Sequence, residues 1–332
     1  MRFIKDKKVI SWAMYDWANS AYATVVLAGF FPLFFKQYWS AESDVTTSTL
    51  QLGVANSLAS IVVVLLAPVL GAIADAGARR KVFLFSFALL GMLTTAALFT
   101  VEKNAWWLAA LLFVFSVIGF SGANIFYDAL LNAVAPRNRV DAVSALGYGL
   151  GYLGGGLLMA FNVVMFQKPE WFGFVDAAEA VRTGFIAVAL WWALFSLPLL
   201  FFIREPQARG QPVRGRQMIA AGFRQFLSTL SHIRRYRQIA LFLLAYWLYI
   251  DGVDTIVRMA VDFGMALGFD AGHLITALLI TQFVGFPAAI AFGWLGERIG
   301  TKAGIFIGLG VYIGVVIMSY WMDDVSEFYM LA

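Results

Sequence analysis

The stretch Gly71-Ala72-Ile73-Ala74-Asp75-Ala76-Gly77-Ala78-Arg79-Arg80-Lys81 has a counterpart 222 residues on (71 to 293): Gly293-Trp294-Leu295-Gly296-Glu297-Arg298-Ile299-Gly300-Thr301-Lys302. Each opens with a glycine at the end of an apolar run, places an acid four residues later and finishes in cations. A carboxylate at the end of a spanning helix can pair with loop cations or cap a neighbouring helix N-terminus. Glycine lets helices approach closely and turn tightly. Such a contact can break and reform. Two copies at repeat spacing therefore read as a conformational latch: Gly71, Asp75, Arg79 and Arg80 in one, Gly293, Glu297, Arg298 and Lys302 in the other. The plainer alternative, a static ion pair that only fixes topology, would need no second copy.

Apolar stretches of spanning length surround these junctions, at about 9–35, 50–74, 82–101, 105–129, 143–166, 183–203, 239–261, 274–296 and 303–322, each near the ~20 residues a membrane helix needs. Composition agrees. Of 332 residues, 61% are hydrophobic and 13% charged, with mean hydropathy +0.78. Soluble domains carry roughly twice that charge, so a soluble enzyme is excluded. Fifty-four aromatic residues (31 Phe, 11 Trp, 12 Tyr) exclude disorder. The fold class expected is an all-α polytopic membrane protein.

Residues 204–238 are the one long connection, basic and rich in Pro and Gly at their start. They divide the chain into a six-span bundle (1–203), a linker and a second bundle (239–332) with three spans and the start of a fourth. Met218 to Arg237 mixes Phe223, Phe226, Leu227 and Leu230 with Arg and His, the pattern of an amphipathic helix on a membrane surface. With the N-terminus inside, the inner segments hold 19 Lys and Arg, the outer segments hold four (Lys36, Lys103, Lys168, Arg182), and Arg258 lies within a span. That asymmetry is a positive-inside signal and places the N-terminus in the cytoplasm, in a cell membrane. It also accounts for the net charge of +4 without nucleic acid. Arg2, Lys5, Lys7 and Lys8 before an apolar run imitate a signal peptide, but the run continues past Ala21-Tyr22-Ala23 and contains Asp16, so a retained span is expected. Applying the same 222-residue offset to the fourth span gives residue 327, where the chain turns apolar again. Nine spans of an expected twelve is the reading.

Two six-span halves, a long central loop and this motif after spans two and eight resemble the major facilitator superfamily. The family pattern is Gly, three residues, Asp, a cation, any residue, Gly, any residue, then cations. Ala76 and Ala78 depart from it in the first copy; the second keeps it with Glu297 for Asp. Three further stretches resemble the vacuole-effluxer branch: Tyr15-Asp16-Trp17-Ala18-Asn19-Ser20, Asn124-Ile125-Phe126-Tyr127-Asp128-Ala129-Leu130-Leu131, and Gly147-Tyr148-Gly149-Leu150-Gly151-Tyr152-Leu153-Gly154-Gly155-Gly156. The resemblance implies a multi-pass secondary transporter working by alternating access, with amino-acid efflux the activity of fungal relatives.

Ionisable and polar residues inside spans are costly and default to functional hypotheses. On span seven, taking Asp251 as 0°, Asp254, Arg258 and Asp262 fall at about −60°, −20° and +20°, one stripe. Asp251 lies about 18 Å into the span, near the midplane. Asp251 or Asp254 can take a proton or an ammonium group and Arg258 a carboxylate; the alternative is a self-satisfied ladder Asp254–Arg258–Asp262 at i, i+4. Span one offers Asp16, Asn19 and Ser20 on one face. In span four Asn124 is a cavity candidate, and Asp128, near the boundary, is expected to pair with Arg137 or Arg139. Gly147, Gly151 and Gly155 recur every four residues, the spacing of close helix packing. Pro68, Pro198 and Pro287 mark kinks, and Trp39, Trp106, Trp107 and Trp321 read as outer-interface anchors.

Cysteine is absent, His232 and His273 lack ligand-spaced neighbours, and no Walker-type loop occurs. No metal, cofactor or catalytic site is expected. The expected partners are membrane lipid and a small-molecule substrate, and the chain is expected to be monomeric. The function expected is proton-linked transport of a small polar solute, amino-acid efflux being favoured. The rival readings are a non-transporting scaffold or sensor on the same fold and, more remotely, a membrane-embedded lipid-processing enzyme.

Overall fold

The structure is a computed structural model that describes residues 6–75, 79–136, 139–204, 224, 228 and 237–332, with only the backbone of Asp75, Glu297 and Thr301. Its described residues form nine helices long and apolar enough to cross a membrane: α1 (Lys7–Trp39), α2 (Val45–Asp75), α3 (Arg80–Ala97), α4 (Trp106–Val134), α5 (Val140–Gln167), α6 (Ala177–Phe202), α7 (Arg237–Ala266), α8 (Ala271–Ile299) and α9 (Thr301–Ser319). A short α10 (Val325–Leu331) follows. The expected spans are all present, and the chain is an all-α polytopic membrane protein.

The helix ends follow their local chemistry. Aspartates begin four of the helices that start at one end of the bundle, α2, α6, α8 and α10. Asp44 accepts from the Thr47 amide at 3.0 Å and the Thr47 hydroxyl at 2.6 Å before α2, and these bonds hold its carboxyl below the usual range. Asp176 caps α6 and Asp270 caps α8 in the same way, and Asp324 with Glu327 forms a capping box on α10. At the opposite end cations meet helix C-termini, where they complement the dipole. Arg80 donates to the Ala74 carbonyl at the end of α2 (2.6 Å) and the Ala129 carbonyl of α4 (3.0 Å). Lys81 donates to Leu200 and Ile203 carbonyls at the end of α6 (2.5 and 2.8 Å).

α1 is the most buried helix. It winds as a π-helix over Tyr22–Phe30 and again over Phe35–Trp39, irregularities that sit preferentially at functional sites. It packs on α5 and α6, while α3 packs on α4, α2 on α4, and α8 on α5. Its outer third enters an aromatic core: Phe31 stacks on Phe113 at 4.0 Å, and Trp39 stacks on Phe185 at 5.8 Å. Trp39 is fully buried and donates its indole N–H to the Val101 carbonyl at 3.3 Å. This corrects its reading as an interface anchor. Its ring fills the gap between α1 and α6, and its one polar atom is satisfied there. Trp106, Trp107 and Trp321 are exposed, as interface residues are.

α5 carries glycine on two faces. Toward α1, a Cβ at Gly147 would sit 2.7 Å from the Trp12 ring and 3.0 Å from Asp16 Oδ2; at Gly151, 2.5 Å from Ser20 Oγ; at Gly155, 2.7 Å from Thr24 Oγ1. Toward α8, Ala145 meets Gly293, Gly149 meets Phe286 and Ile290, Tyr152 lies on Gly285, and Gly156 meets Gln282. The four-residue glycine spacing thus faces α1, and a second, less regular small-residue face holds α8.

Candidate functional site

The glycine face of α5 explains why polar atoms of α1 can sit at mid-depth. With no side chains at 147, 151 and 155, the row Trp12, Asp16, Ser20, Thr24 lies directly on backbone. Asp16 is half-buried and its Oδ1 accepts from Ser20 Oγ at 3.4 Å. One step round the helix, Asn19 Nδ2 donates to Asn124 Oδ1 of α4 at 2.5 Å, and Trp12 Nε1 donates to the Tyr127 carbonyl at 3.1 Å. Two of the expected cavity residues, Asn19 and Asn124, are therefore direct partners. Further along, Thr24 Oγ1 donates to Gln282 Oε1 of α8 at 3.1 Å, a polar contact joining the first six helices to the later ones. Thr24 and Gln282 are additions to the expected set. The signal was available only as their spacing, Thr24 four residues after Ser20 and Gln282 three before Gly285.

A second polar group lies at the end of the bundle where α1 and α7 finish. Lys36 Nζ is 2.7 Å from Asp262 Oδ1, 3.0 Å from Thr49 Oγ1 and 3.3 Å from the Asp262 carbonyl, while Thr49 Oγ1 donates to Asp262 Oδ2 at 2.9 Å. The pair is 11% and 2% exposed. Next to it, Arg258 donates to Ser60 of α2 (3.4 Å) and pairs with Asp254 (3.2 Å), and Asn56 Nδ2 approaches Met259 Sδ at 3.9 Å. Together these contacts form a seam of α1 and α2 against α7. Only half of the alternative i, i+4 ladder exists: Asp254 pairs with Arg258, but Asp262 turns to Lys36. Lys36, counted as a loop cation, belongs to this seam because α1 continues as helix to Trp39.

Asp251 and Asp254 are exposed, Asp254 by 57% even while paired, and neither touches the Asp16 group. Asp128 and Tyr148 are exposed too. Arg137, the first partner expected for Asp128, lies outside the described residues, as does most of the expected amphipathic segment 218–237. Of the latch residues, the side chains of Asp75 and Glu297 are outside the described set. Arg79 is exposed at φ 60°, Arg80 serves helix carbonyls, and Arg298 lies over the Trp294 ring at 3.6 Å. Gly293 abuts Ala145, Gly71 has open space where a Cβ would stand, and Lys302 is exposed. Gly293, Gly296 and Asp141 help to line a cleft of about 400 Å³ between the start of α5, the middle of α7, the end of α8 and the first half of α9.

Comparison with known proteins follows the same lines. The family described as vacuole effluxer Atg22 like matches residues 41–322. The uncharacterized MFS-type transporter YxiO of Bacillus subtilis is 37% identical, over 100% of this chain and 77% of that protein. Autophagy-related protein 22 of Eremothecium gossypii is 25% identical, over 76% of this chain and 52% of its own length. Among solved structures, a partially occluded inward open conformation of the xylose transporter XylE from E. coli superposes with TM-score 0.64 at 12% identity, covering 98% of this chain and 82% of that one. A D-xylose-proton symporter gives TM-score 0.62 at 14% identity, covering 97% and 78%. At such identities the structures establish the fold, that of the major facilitator superfamily, and not the solute.

Proposed function

Because the chain belongs to the vacuole effluxer Atg22-like family and has the major facilitator fold, we propose that it is a secondary active transporter that exports a small polar solute, an amino acid, by proton-linked alternating access. Its two bundles, 1–203 and 239–332, rock about a central site, with the cytoplasmic linker 204–238 joining them. The N-terminus is cytoplasmic by the distribution of Lys and Arg.

One observation carries the reading. The bundle is closed by hydrogen bonds and a buried ion pair where α1 and α2 meet α7, yet Asp128, Tyr148 and Asp251, which take no part in that seam, remain exposed. A transporter caught between states needs such an asymmetry, one end sealed and polar residues still reachable. With the N-terminus inside, the sealed end is extracellular, and the matched xylose-transporter structure carries the description inward open. Asp16, between Ser20 and the glycine face of α5, is the group that carries the proton; Asn19, Asn124, Thr24 and Gln282 supply neutral hydrogen bonds. Asp251 lines the route between this site and the seam, Asp254 and Arg258 form the edge of the seam that faces it, and the repeated junctions at 71–81 and 293–302 bias which state is occupied.

The test is flux. The purified protein in proteoliposomes loaded with labelled amino acids, sugars or organic acids is given a pH gradient. Amino-acid flux that follows the gradient, with gradient dependence lost in Asp16→Asn while exchange persists, is the expected result. No gradient-driven flux of any of these classes through folded protein rejects the proposal and leaves a scaffold or sensor.

A further inference from the structure

Two ion pairs lie along the seam of α1 and α2 against α7, and they differ in kind. Lys36 and Asp262 are 2.7 Å apart, share Thr49 and are 11% and 2% exposed, so the pair is closed on itself. Arg258 and Asp254 are joined by one contact, Nη2 to Oδ2 at 3.2 Å, long for a charge-assisted bond. Nη1 donates to Ser60 Oγ at 3.4 Å, and the buried Nε has no hydrogen-bond partner among the described residues. A guanidinium carries five N–H donors in a planar fork. A carboxylate taken side-on by that fork would make two short bonds where Asp254 makes one long one.

The group lies at the depth where a solute would be held. Ser60 stands midway along α2 (Val45–Asp75), and Tyr22, within electrostatic range of Arg258, is near the middle of α1 (Lys7–Trp39). Ile250, one turn before Asp254, lines the cleft of about 400 Å³, and Tyr312 in the same wall lies within electrostatic range of Asp254. Asp254 is 57% exposed and Arg258 14%. The acid can leave the arginine for water, and the arginine cannot follow it.

We propose that Arg258 and Asp254 are the two halves of a zwitterion site: an α-amino acid inserts into the pair, its carboxylate on the Arg258 fork and its ammonium on the released Asp254 carboxylate. The proposal deepens the amino-acid reading above and rests on it for its physiological meaning. Two opposite charges borne on one carbon turn one ion pair into two and leave the net charge of the site unchanged. The exposures then rank partial ligands. A bare carboxylate displaces Asp254 into solvent at little cost. A bare ammonium takes Asp254 and strands the mostly buried Arg258, which is strongly unfavourable. The order expected is amino acid, then acid, then amine.

The purified protein is screened against the common amino acids by melting-temperature shift. The strongest binder is then compared by calorimetry with its deaminated acid and its decarboxylated amine; for leucine these are 4-methylpentanoate and 3-methylbutylamine. The acid should bind about tenfold or more below the amino acid, the scale of a lost charged hydrogen bond, and the amine below the acid. Arg258→Lys, which keeps the charge and loses the fork, should weaken amino acid and acid alike by about tenfold. Asp254→Asn should bring the amino acid down to the acid's affinity and leave the acid bound as tightly as before or tighter, its competitor being gone. A merely structural role for Asp254 would weaken both. Melting without ligand checks folding, and Arg258→Met with Asp254→Leu, an apolar pair that strands no charge, should fold and bind none of the three. An amine that binds as tightly as the amino acid, no amino-acid binding to folded protein, or unchanged amino-acid binding in the folded double variant overturns the site. Binding in the expected order without flux in the proteoliposomes leaves the site standing and removes only the transport reading; amino-acid flux unaltered in the double variant does the reverse.

Discussion

Removing Lys36 should open the sealed end of the bundle. Its ammonium sits 2.7 Å from the Asp262 carboxylate, and both groups are almost wholly removed from solvent. At that separation the direct attraction is about 6 kcal/mol for an effective dielectric of 20. Most of it offsets desolvation, so the useful figure is the cost of stranding one charge, about 3–5 kcal/mol. In Lys36→Met the stranded Asp262 stays buried only while α7 remains docked on α1 and α2; separation returns it to water. The penalty therefore falls on the closed state, and the closed-to-open ratio should fall by about two to three and a half powers of ten, at roughly 1.4 kcal/mol per tenfold. The chain has no cysteine, so a single Ser60→Cys, beside Arg258 in the seam, reports opening directly. Its labelling by a membrane-impermeant maleimide should accelerate by tenfold or more in the Lys36→Met background. Adding Asp262→Leu should slow it again, because an apolar pair removes the stranded charge. Unchanged labelling in a Lys36→Met protein that melts normally would refute the reasoning.

Three further outcomes follow from the packing. Gly151→Val places carbon 2.5 Å from Ser20 Oγ and should lower the melting temperature in detergent, at a cost of about 1–3 kcal/mol for overpacking; an unchanged melt would mean α1 does not lie on this face. A double-mutant cycle on Thr24→Val and Gln282→Leu should return a coupling of about 0.6 kcal/mol, and up to ~1.7, as for other interhelical hydrogen bonds in membranes, whereas zero coupling removes this bridge. Trp39→Ala should cost about 3–5 kcal/mol in unfolding experiments, while Trp107→Ala on the exposed surface should stay within about 0.5 kcal/mol.

The contrast between those two tryptophans shows what a single sequence discloses. Hydropathy located all nine spans, because burial in lipid acts on each helix separately, and the spacing of Gly147, Gly151 and Gly155 located the packing face of α5 because period is a local property. Pairing between helices is not local. Trp39 looked like an anchor because it stands near the end of an apolar run; only the approach of Phe185, 146 positions later, makes it core. Lys36 looked like a loop cation for the same reason, and Asp262 pointed at Arg258 by helical spacing while its stronger partner lay on α1. Asp16, Asn19 and Asn124 were legible as costly polar residues in spans, but the bond between the two asparagines was not, since nothing in either segment encodes the antiparallel register that joins them. Gly149 and Gly156 were hidden by the more regular stripe beside them.

That second face of α5 has a mechanical meaning. Along the contact with α8, bulk and absence of bulk alternate between the partners: Ala145 against Gly293, Gly149 against Phe286, Tyr152 against Gly285, Gly156 against Gln282. The two helices mesh like a rack against its pinion. Sliding one past the other by a residue or two would drive Tyr152 into Phe286 or Gln282, whereas a small tilt leaves every tooth in its gap. Such meshing opposes sliding of α5 along α8 and favours a tilt about their line of contact, for which the distance from that line to the Lys36–Asp262 pair would be the lever arm that turns a small change of angle into a gap at the far end.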